Sequence, residues 1–378
     1  MRMVHVVVNA IRAAALVVGL VGCGRIGFDS PGGIDTQAVD APLGTTCLGP
    51  PGWSVCLTAL PTQPLHVPAM IDTSAGSAIC SPDASIAGQP SLCFVLATDI
   101  VVDANVSVSG DRPIVLVATD AVTIDAVLDA SAHRTGKDGP GGRESSACSS
   151  FPTMPKLDNS GGGGGAGGSF LSKGGNGGAG NANAAMAGTS PVSSAAPAQL
   201  RPGCAGQDGG DGVGTSSHCT GGNAGGGVYV VAARAIEIGP NGAISASGAA
   251  GSCLTPGQYF GGGGGGGSGG TIVLSAPMIA AMPGAMVIAN GGGGAAGSSG
   301  SVLGAPGQEA VAATVPAAGG ASPGGPGGSG YADSAAGAAG GAGAVNLGGG
   351  GGGGGAGYVR ASSALGAANV SPPVAIVP

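Results

Sequence analysis

The feature that most restricts what this chain can fold into is an internal repeat. The stretches VYVVAARAIEIGPNGAISASG (Val228 to Gly248) and TIVLSAPMIAAMPGAMVIANG (Thr271 to Gly291) align when shifted by 43 positions, Val228 onto Thr271. Pro240 then falls on Pro283, Ile236 on Ile279, and Ala246-Ser247-Gly248 on Ala289-Asn290-Gly291. IVLVATDAVTIDAVLDAS (Ile114 to Ser131) follows the same pattern with a turn about two residues shorter. FVLATDIVVDANVSVSG (Phe94 to Gly110) shares its Ala-Thr-Asp step, and YVRASSALGAANVSPPVAIV (Tyr358 to Val377) is a degenerate copy. Such self-similarity marks a stack of units that bury a shared core.

Each unit holds three short β-prone runs, exemplified by Val228 to Ala232, Ala235 to Ile238 and Ala243 to Ala246, parted by turn formers such as Gly-Pro-Asn-Gly. Three short strands with tight corners make one coil of about 20 residues in a solenoid. The expected fold class is therefore all-β: a short right-handed parallel β-helix with long Gly-rich insertions. In the run from Val228 both alternating sets are apolar, Val228, Val230 and Ala232 on one side and Tyr229, Val231 and Ala233 on the other. Strands covered on both faces read this way, so a second layer is required outside, and the Gly-rich tracts are the expected cover.

Those tracts interrupt the repeat at one corner, after Ser131, Gly248 and Gly291, as insertions at about 132–226, 249–270 and 292–356. The chain holds 84 Gly and 27 Pro, yet only 8% of its residues are charged and its mean hydropathy is +0.36. This is not the polar, charged composition that keeps chains unfolded. Two readings of the tracts stand side by side: flexible linker, or extended glycine segments packed backbone to backbone in the manner of polyglycine II. Ordering them costs about 1–2 kcal/mol per residue, a cost that disulfides through Cys148, Cys204, Cys219 and Cys253 would reduce.

The N-terminal residues read as a lipoprotein signal over 1–22. Arg2, His5 and Arg12 precede an apolar core, Ala13 to Val21, too short to span a bilayer. Leu20-Val21-Gly22-Cys23 has the lipobox form, with cleavage between Gly22 and Cys23 and lipid on the Cys23 thiol; a plain secretory signal is the alternative. Several acyl chains together anchor a protein that one chain holds only marginally. Gly24, in place of an aspartate at that position, points to the outer membrane of a Gram-negative cell. A flexible tether over 23–46 follows, then a disulfide-tied N-terminal cap over 47–93, with Trp53 as a core anchor, then the repeat domain over 94–378. Apart from Cys23 the cysteines are Cys47, Cys56, Cys80, Cys93, Cys148, Cys204, Cys219 and Cys253. An even set in an exported chain implies a disulfide framework rather than a metal site. Local pairing would join Cys47–Cys56, Cys80–Cys93 and Cys204–Cys219.

Cys23-Gly-Arg-Ile-Gly-Phe-Asp29 resembles the mature start of lipoproteins of myxobacterial type. Val55-Cys-Leu-Thr-Ala-Leu-Pro-Thr-Gln-Pro-Leu65, Arg112-Pro-Ile-Val-Leu-Val-Ala-Thr-Asp120 and Ser-Gly-Gly-Thr-Ile-Val-Leu-Ser-Ala-Pro277 resemble a Gly-rich lipoprotein family from the same bacteria. The resemblance covers most of the mature chain. It implies location and architecture and carries no activity. The Gly-Gly-Ala repeats are also similar in composition to the PGRS surface proteins of mycobacteria.

Solenoids of this kind host polysaccharide lyases and hydrolases, which need paired carboxylates or a base beside clustered acids. Asp99 and Asp120 occupy equivalent steps of neighbouring coils, with Asp103, Asp125 and Asp129 nearby, and could stack as a carboxylate pair. Aspartate after Thr at a corner more often caps a turn. Beyond Glu237 the only acids are Glu309 and Asp333. Asp208 and Asp211, in GQDGGDGVG, lack the recurring spacing of a calcium loop. His218 beside Cys219 is a weak zinc signal, and His66 and His133 look isolated. No catalytic residue, cofactor or metal is expected.

With 12 Lys+Arg and a net charge of −7, the chain has no electrostatic footprint for nucleic acid, and 3% aromatic residues argue against a broad sugar-stacking platform. A surface of Gly, Ala and Ser could also bind ice or matrix, but the planar threonine array this needs is scarcely present. The expected function is a structural or adhesive role at the cell surface. Its partners are the membrane through lipid, and cell-surface polysaccharide or other surface proteins. A carbohydrate-binding or carbohydrate-active β-helix is the alternative.

Overall fold

A computed structural model describes residues 46–377 apart from 90, 137, 143–147, 213–218 and 254–258. The expected signal, Gly22, Cys23, most of the tether and His218 lie outside the described residues. The chain opens with β1 (Thr46–Leu48), β2 (Val55–Leu57), β3 (Leu65–His66), β4 (Met70–Asp72) and β5 (Ala84–Ile86). Complete coils follow: β6 (Cys93–Ala97), β7 (Ile100–Val102) and β8 (Val106–Ser109), then β9 (Ile114–Ala118), β10 (Ala121–Ile124) and β11 (Val127–Asp129). After the first insertion come β12 (Gly227–Ala232), β13 (Ala235–Ile238) and β14 (Ala243–Ser245). After the second come β15 (Thr271–Ser275), β16 (Met278–Ala281) and β17 (Met286–Ile288). The last, incomplete turn is β18 (Tyr358–Ala361), β19 (Asn369–Ser371) and β20 (Ala375–Ile376).

These strands stack as three parallel sheets, ordered β6-β9-β12-β15-β18-β20, β3-β7-β10-β13-β16 and β4-β8-β11-β14-β17-β19. The architecture is a parallel β-helix, with each repeat as one coil. Ile236 lies between Val122 and Ile279 in the second sheet. The shorter turn read in the second coil is real: Val228 pairs with Ile114 and Val127 with Ala243, so the register advances by two residues between the first and third sheets. The degenerate last copy has no strand in the second sheet.

One element of the repeat alignment needs correction. In the first sheet Val228 pairs with Ile272, not Thr271, while Ala235 still pairs with Met278. The corner after β15 is one residue shorter than the corner after β12. Because side chains alternate, a one-residue slip would exchange the two faces. The observed register keeps Val228, Val230, Ile272 and Leu274 together in the interior, with Leu116, Ile124, Ile238 and Ile244.

The outer face of the first sheet is also buried, and its cover differs from the expectation. It is not glycine. The antiparallel sheet β1-β2-β5 supplies Trp53, Val55, Leu57, Ala84 and Ile86, which pack on Phe94, Val115, Val117, Tyr229, Val231 and Val273. From the insertions, Leu200 joins them. Glycine has no side chain to fill such a layer; branched and aromatic residues do, at about 1.5–3 kcal/mol for each fully buried large side chain. Trp53 meets Tyr229 edge-on at 5.9 Å, and the Tyr229 hydroxyl donates to the Trp53 carbonyl at 3.0 Å. Residues 47–93 thus cover one sheet, and through β3 and β4 they also begin the other two.

The insertions leave the ends of β11, β14 and β17 in the third sheet and return to β12, β15 and β18 in the first. They pack as a bundle of extended glycine segments. Along Gly262–Gly269 the N–H donors turn in a three-residue cycle. Gly262, Gly265 and Ser268 donate to Gly210, Gln207 and Cys204, while Gly263, Gly266 and Gly269 donate to Gly349, Gly352 and Gly355. Its carbonyls accept in the same cycle: Gly264 and Gly267 from Ala295 and Gly292, Gly262 and Gly265 from Cys219 and Gly222. A threefold extended helix has this symmetry, and it makes no hydrogen bonds within itself. Each segment is therefore held entirely by its neighbours. The packed alternative holds for these tracts, and glycine is required for it. A Cβ at Gly264 would overlap the Thr220 carbonyl, and one at Gly351 the Gly264 carbonyl.

Four disulfides brace this assembly: Cys47–Cys56, Cys80–Cys93, Cys148–Cys204 and Cys219–Cys253. The local pair Cys204–Cys219 does not form. Gly203, Gly206 and Gly209 donate to Gly225, Gly222 and Cys219 in turn. Cys219 therefore sits some five residues along from Cys204, about 15 Å at the rise of an extended helix, beyond disulfide reach. Cys219 instead ties the first insertion to the second.

Candidate functional site

Of the two corner aspartates that could stack as a carboxylate pair, Asp120 lies within side-chain hydrogen-bonding reach of Asp99 and is also engaged in an ion pair. Arg234, at the same corner of the next coil, donates to Asp120 through Nε at 2.5 Å and through a terminal nitrogen at 3.1 Å. That hydrogen bonding holds the Asp120 carboxyl below the usual carboxylate range. The pair is exposed and solvated, and such pairs add little to stability. Asp103 is taken by His66 at 2.7 Å, so His66 is not isolated.

His133 is not isolated either, and Glu309 is not an unattached acid. The imidazole bridges the Asp129 carboxylate through Nε2 and the Glu309 carboxylate through Nδ1, each at 2.8 Å. Glu309 also accepts from the backbone N–H of Arg134, whose guanidinium donates to the Gly307 carbonyl at 3.1 Å. Asp129 ends β11, His133 begins the first insertion, and Glu309 belongs to the third. The hydrogen bonds to Asp129 and Glu309 raise the His133 pKa to about 9 against the opposing effect of burial. At neutral pH the ring is an imidazolium with both nitrogens donating, which makes it a clasp between segments rather than a proton acceptor.

A polar ladder lies at the corner from which the insertions depart. Ser131 and Ser245 share a hydrogen bond at 2.6 Å, and Ser247 accepts from the Asn290 N–H at 3.2 Å. The Ser371 hydroxyl donates to the Asn290 side-chain oxygen at 2.5 Å. These groups are buried and satisfy one another. They join successive coils and present nothing to a ligand.

Polar and aromatic side chains converge on a cavity of about 570 Å³ in the first insertion. Asp138, Phe151, Met154, Gln207, Asp208 and Asn223 line it. Its floor is two bundle segments joined by the Gly206 N–H to the Gly222 carbonyl at 2.9 Å and by the Gly221 N–H to the Asp208 carboxylate at 2.7 Å. The buried Gln207 amide accepts from the Ala166 N–H and donates to the Thr153 carbonyl at 3.1 Å, pinning the Phe151–Met154 wall to that floor. Thr153 is further held by Thr189 at 2.7 Å. Across the cavity the Asn223 amide donates to the Asp138 carboxylate.

Of this group the sequence singles out Asp208 alone, in a stretch that lacks the spacing of a calcium loop. Asn223 had a legible signal, being the lone amide in GGNAGG. Phe151 and Asp138 had none, because the chain fold alone brings them opposite it. Among the described residues, no group of three or more His, Cys, Asp or Glu is placed to hold a metal ion, and no helix is long and apolar enough to cross a membrane. The four disulfides fit an oxidising, extracytoplasmic compartment. No protein-family model, curated protein or solved structure matches the chain.

Proposed function

We propose that this chain is a lipoprotein, anchored through lipid on Cys23 at the outer membrane of a Gram-negative cell, with a structural or adhesive role at the surface and no catalysis. The observation that carries this reading is the bundle itself. A rigid, disulfide-braced body with almost no charge over residues 260–357, where Glu309 and Asp333 are the only ionisable acids, suits contact with a neighbouring surface. Within it His133 is held protonated between two carboxylates, an arrangement that suits a structural clasp rather than a base. The resemblance to Gly-rich lipoproteins of myxobacterial type agrees with this reading. A carbohydrate-binding role is the second reading, favoured by the cavity between Asp138 and Phe151.

Labelling with radioactive palmitate, wild type against Cys23→Ala, tests the anchor. The expected outcome is loss of both label and membrane fractionation in the variant; equal labelling would remove the anchor. Deletion of the gene followed by a cell-adhesion assay tests the role, with reduced attachment expected.

A further inference from the structure

We infer that the Cys47–Cys56 bridge is a thiol-exchange site, opened by a dithiol ahead of the other three disulfides and thereby releasing the loop that carries Trp53.

The four bridges differ in what surrounds their sulfurs. Cys47 is exposed on β1 and Cys56 half-buried on β2. Among the described residues β1 pairs with β2 alone, so Cys47 stands at an open sheet edge. In each of the other bridges at least one partner is buried: Cys93, Cys204, and both Cys219 and Cys253. Exchange needs a sulfur that a thiolate can reach and a second sulfur that leaves as thiolate. Half-buried Cys80 can be approached, but the leaving thiolate would form on Cys93, inside the solenoid beside Val95 and Ile114. Burial raises a thiol's pKa and makes it a poor leaving group. The same holds for Cys148 and its buried partner Cys204. At Cys47–Cys56 either sulfur can be attacked while the other leaves into water.

The reductant's first thiolate attacks the Cys47 sulfur, and the Cys47–Cys56 bond breaks. Cys56 departs with the electron pair and takes a proton. The reductant's second thiolate then displaces the first, so Cys47 leaves and is protonated in turn. Two cysteine thiols remain here, and the dithiol has become a disulfide.

What the bridge closes is the support of Trp53. Cys47 and Cys56 lie directly opposite in the ladder. Between them the chain turns through Gly49 and Gly52, at φ +96° and +80°, and the Trp53 N–H donates to the Pro50 carbonyl at 3.0 Å. The Arg360 guanidinium sits over the indole at 5.3 Å. Without the bridge, β1 is three residues long and paired on one side, too little to stay ordered by itself. Reduction returns the closure entropy to this loop. β2 stays in place, because β5 pairs with its other edge and Val55 and Leu57 are buried. Opening is therefore confined to about 46–54, a local event that leaves coils and bundle folded.

Trp53 is the one tryptophan of the chain, so its emission reports the loop without a label. The test exposes the full, oxidised chain to graded dithiothreitol, with alkylation of released thiols mapped by mass spectrometry. Cys47 and Cys56 should be labelled about tenfold or more faster than any other bridged cysteine. Tryptophan emission should move to the red, and quenching by acrylamide should rise, at the rate of that labelling. Cys47→Ser with Cys56→Ser should show the shifted emission before any reductant is added, and no further change at the same dithiothreitol concentration. Labelling of Cys80 or Cys148 first, or of all bridged cysteines together, overturns the exchange site. Labelling of Cys47 and Cys56 with emission unchanged overturns the release of the loop. So does a shift seen only once Cys204 and Cys219 are labelled too, which would be global unfolding.

Discussion

His133 shows how much a single side chain can hold in a chain with so few charges. Its ring joins Asp129 at the end of a coil to Glu309 in the last insertion, with the Arg134 backbone on the same carboxylate. The folded pKa of about 9 lies above the ordinary 6.5. Protonation is therefore favoured by folding, and the contribution is complete below about pH 6.5 and lost as pH rises through about 9. After allowance for partial solvent screening it amounts to about 1–2 kcal/mol. Stability measured by denaturant titration should fall across that window in the wild type, and Glu309→Gln should flatten part of the fall while lowering stability at neutral pH. An equally steep decline in both proteins would show that the clasp contributes nothing.

At the level of strands and segments, the solenoid and the bundle were legible to very different degrees. The coils could be read because apolar residues alternate and recur. Val228 to Ala232 and Ala235 to Ile238 differ from the observed strands by at most a residue. The slip at Val228 arose at a corner, where Ser-Ala-Pro replaces a longer turn and no side chain records the change. Glycine segments carry no side-chain pattern at all, so sequence alone leaves both packed backbone and flexible linker open; hydrogen-bond partners far along the chain decide for packing. The Cys148–Cys204 bridge and the clasp were hidden for the same reason, with partners 56 and 176 residues apart. The packing has a sharp consequence. At Gly351, whose N–H donates to Ala295 and whose carbonyl accepts from Gly328, both at 2.8 Å, a methyl group would strike the Gly264 carbonyl. Gly351→Ala should destabilise the chain by about 1–3 kcal/mol or more through overpacking. Ser301→Ala, at an exposed tip, should melt with the wild type. Coincident melting of both variants would mean that the bundle is looser than its geometry requires.

For the molecule as a whole, two unlike scaffolds share one chain because every insertion starts and ends at the same corner of the coil. The β-helix sets the spacing of those starting points, and the bundle then needs only segments long enough to lie side by side. The Cys219–Cys253 bridge couples the first two insertions directly. Growth or loss of the bundle is thus separable from the solenoid core, and it obeys a rule of its own. Along Gly262–Gly269 the donors revisit the same neighbour at every third residue. Deleting one glycine would swing each later donor by about 120° toward the wrong segment. Deleting three would leave every address intact and merely pull in the tip. Viable length variants of this protein should accordingly come in triplets, as though the tract were read by a frame of its own, with soluble yield collapsing for changes of one or two.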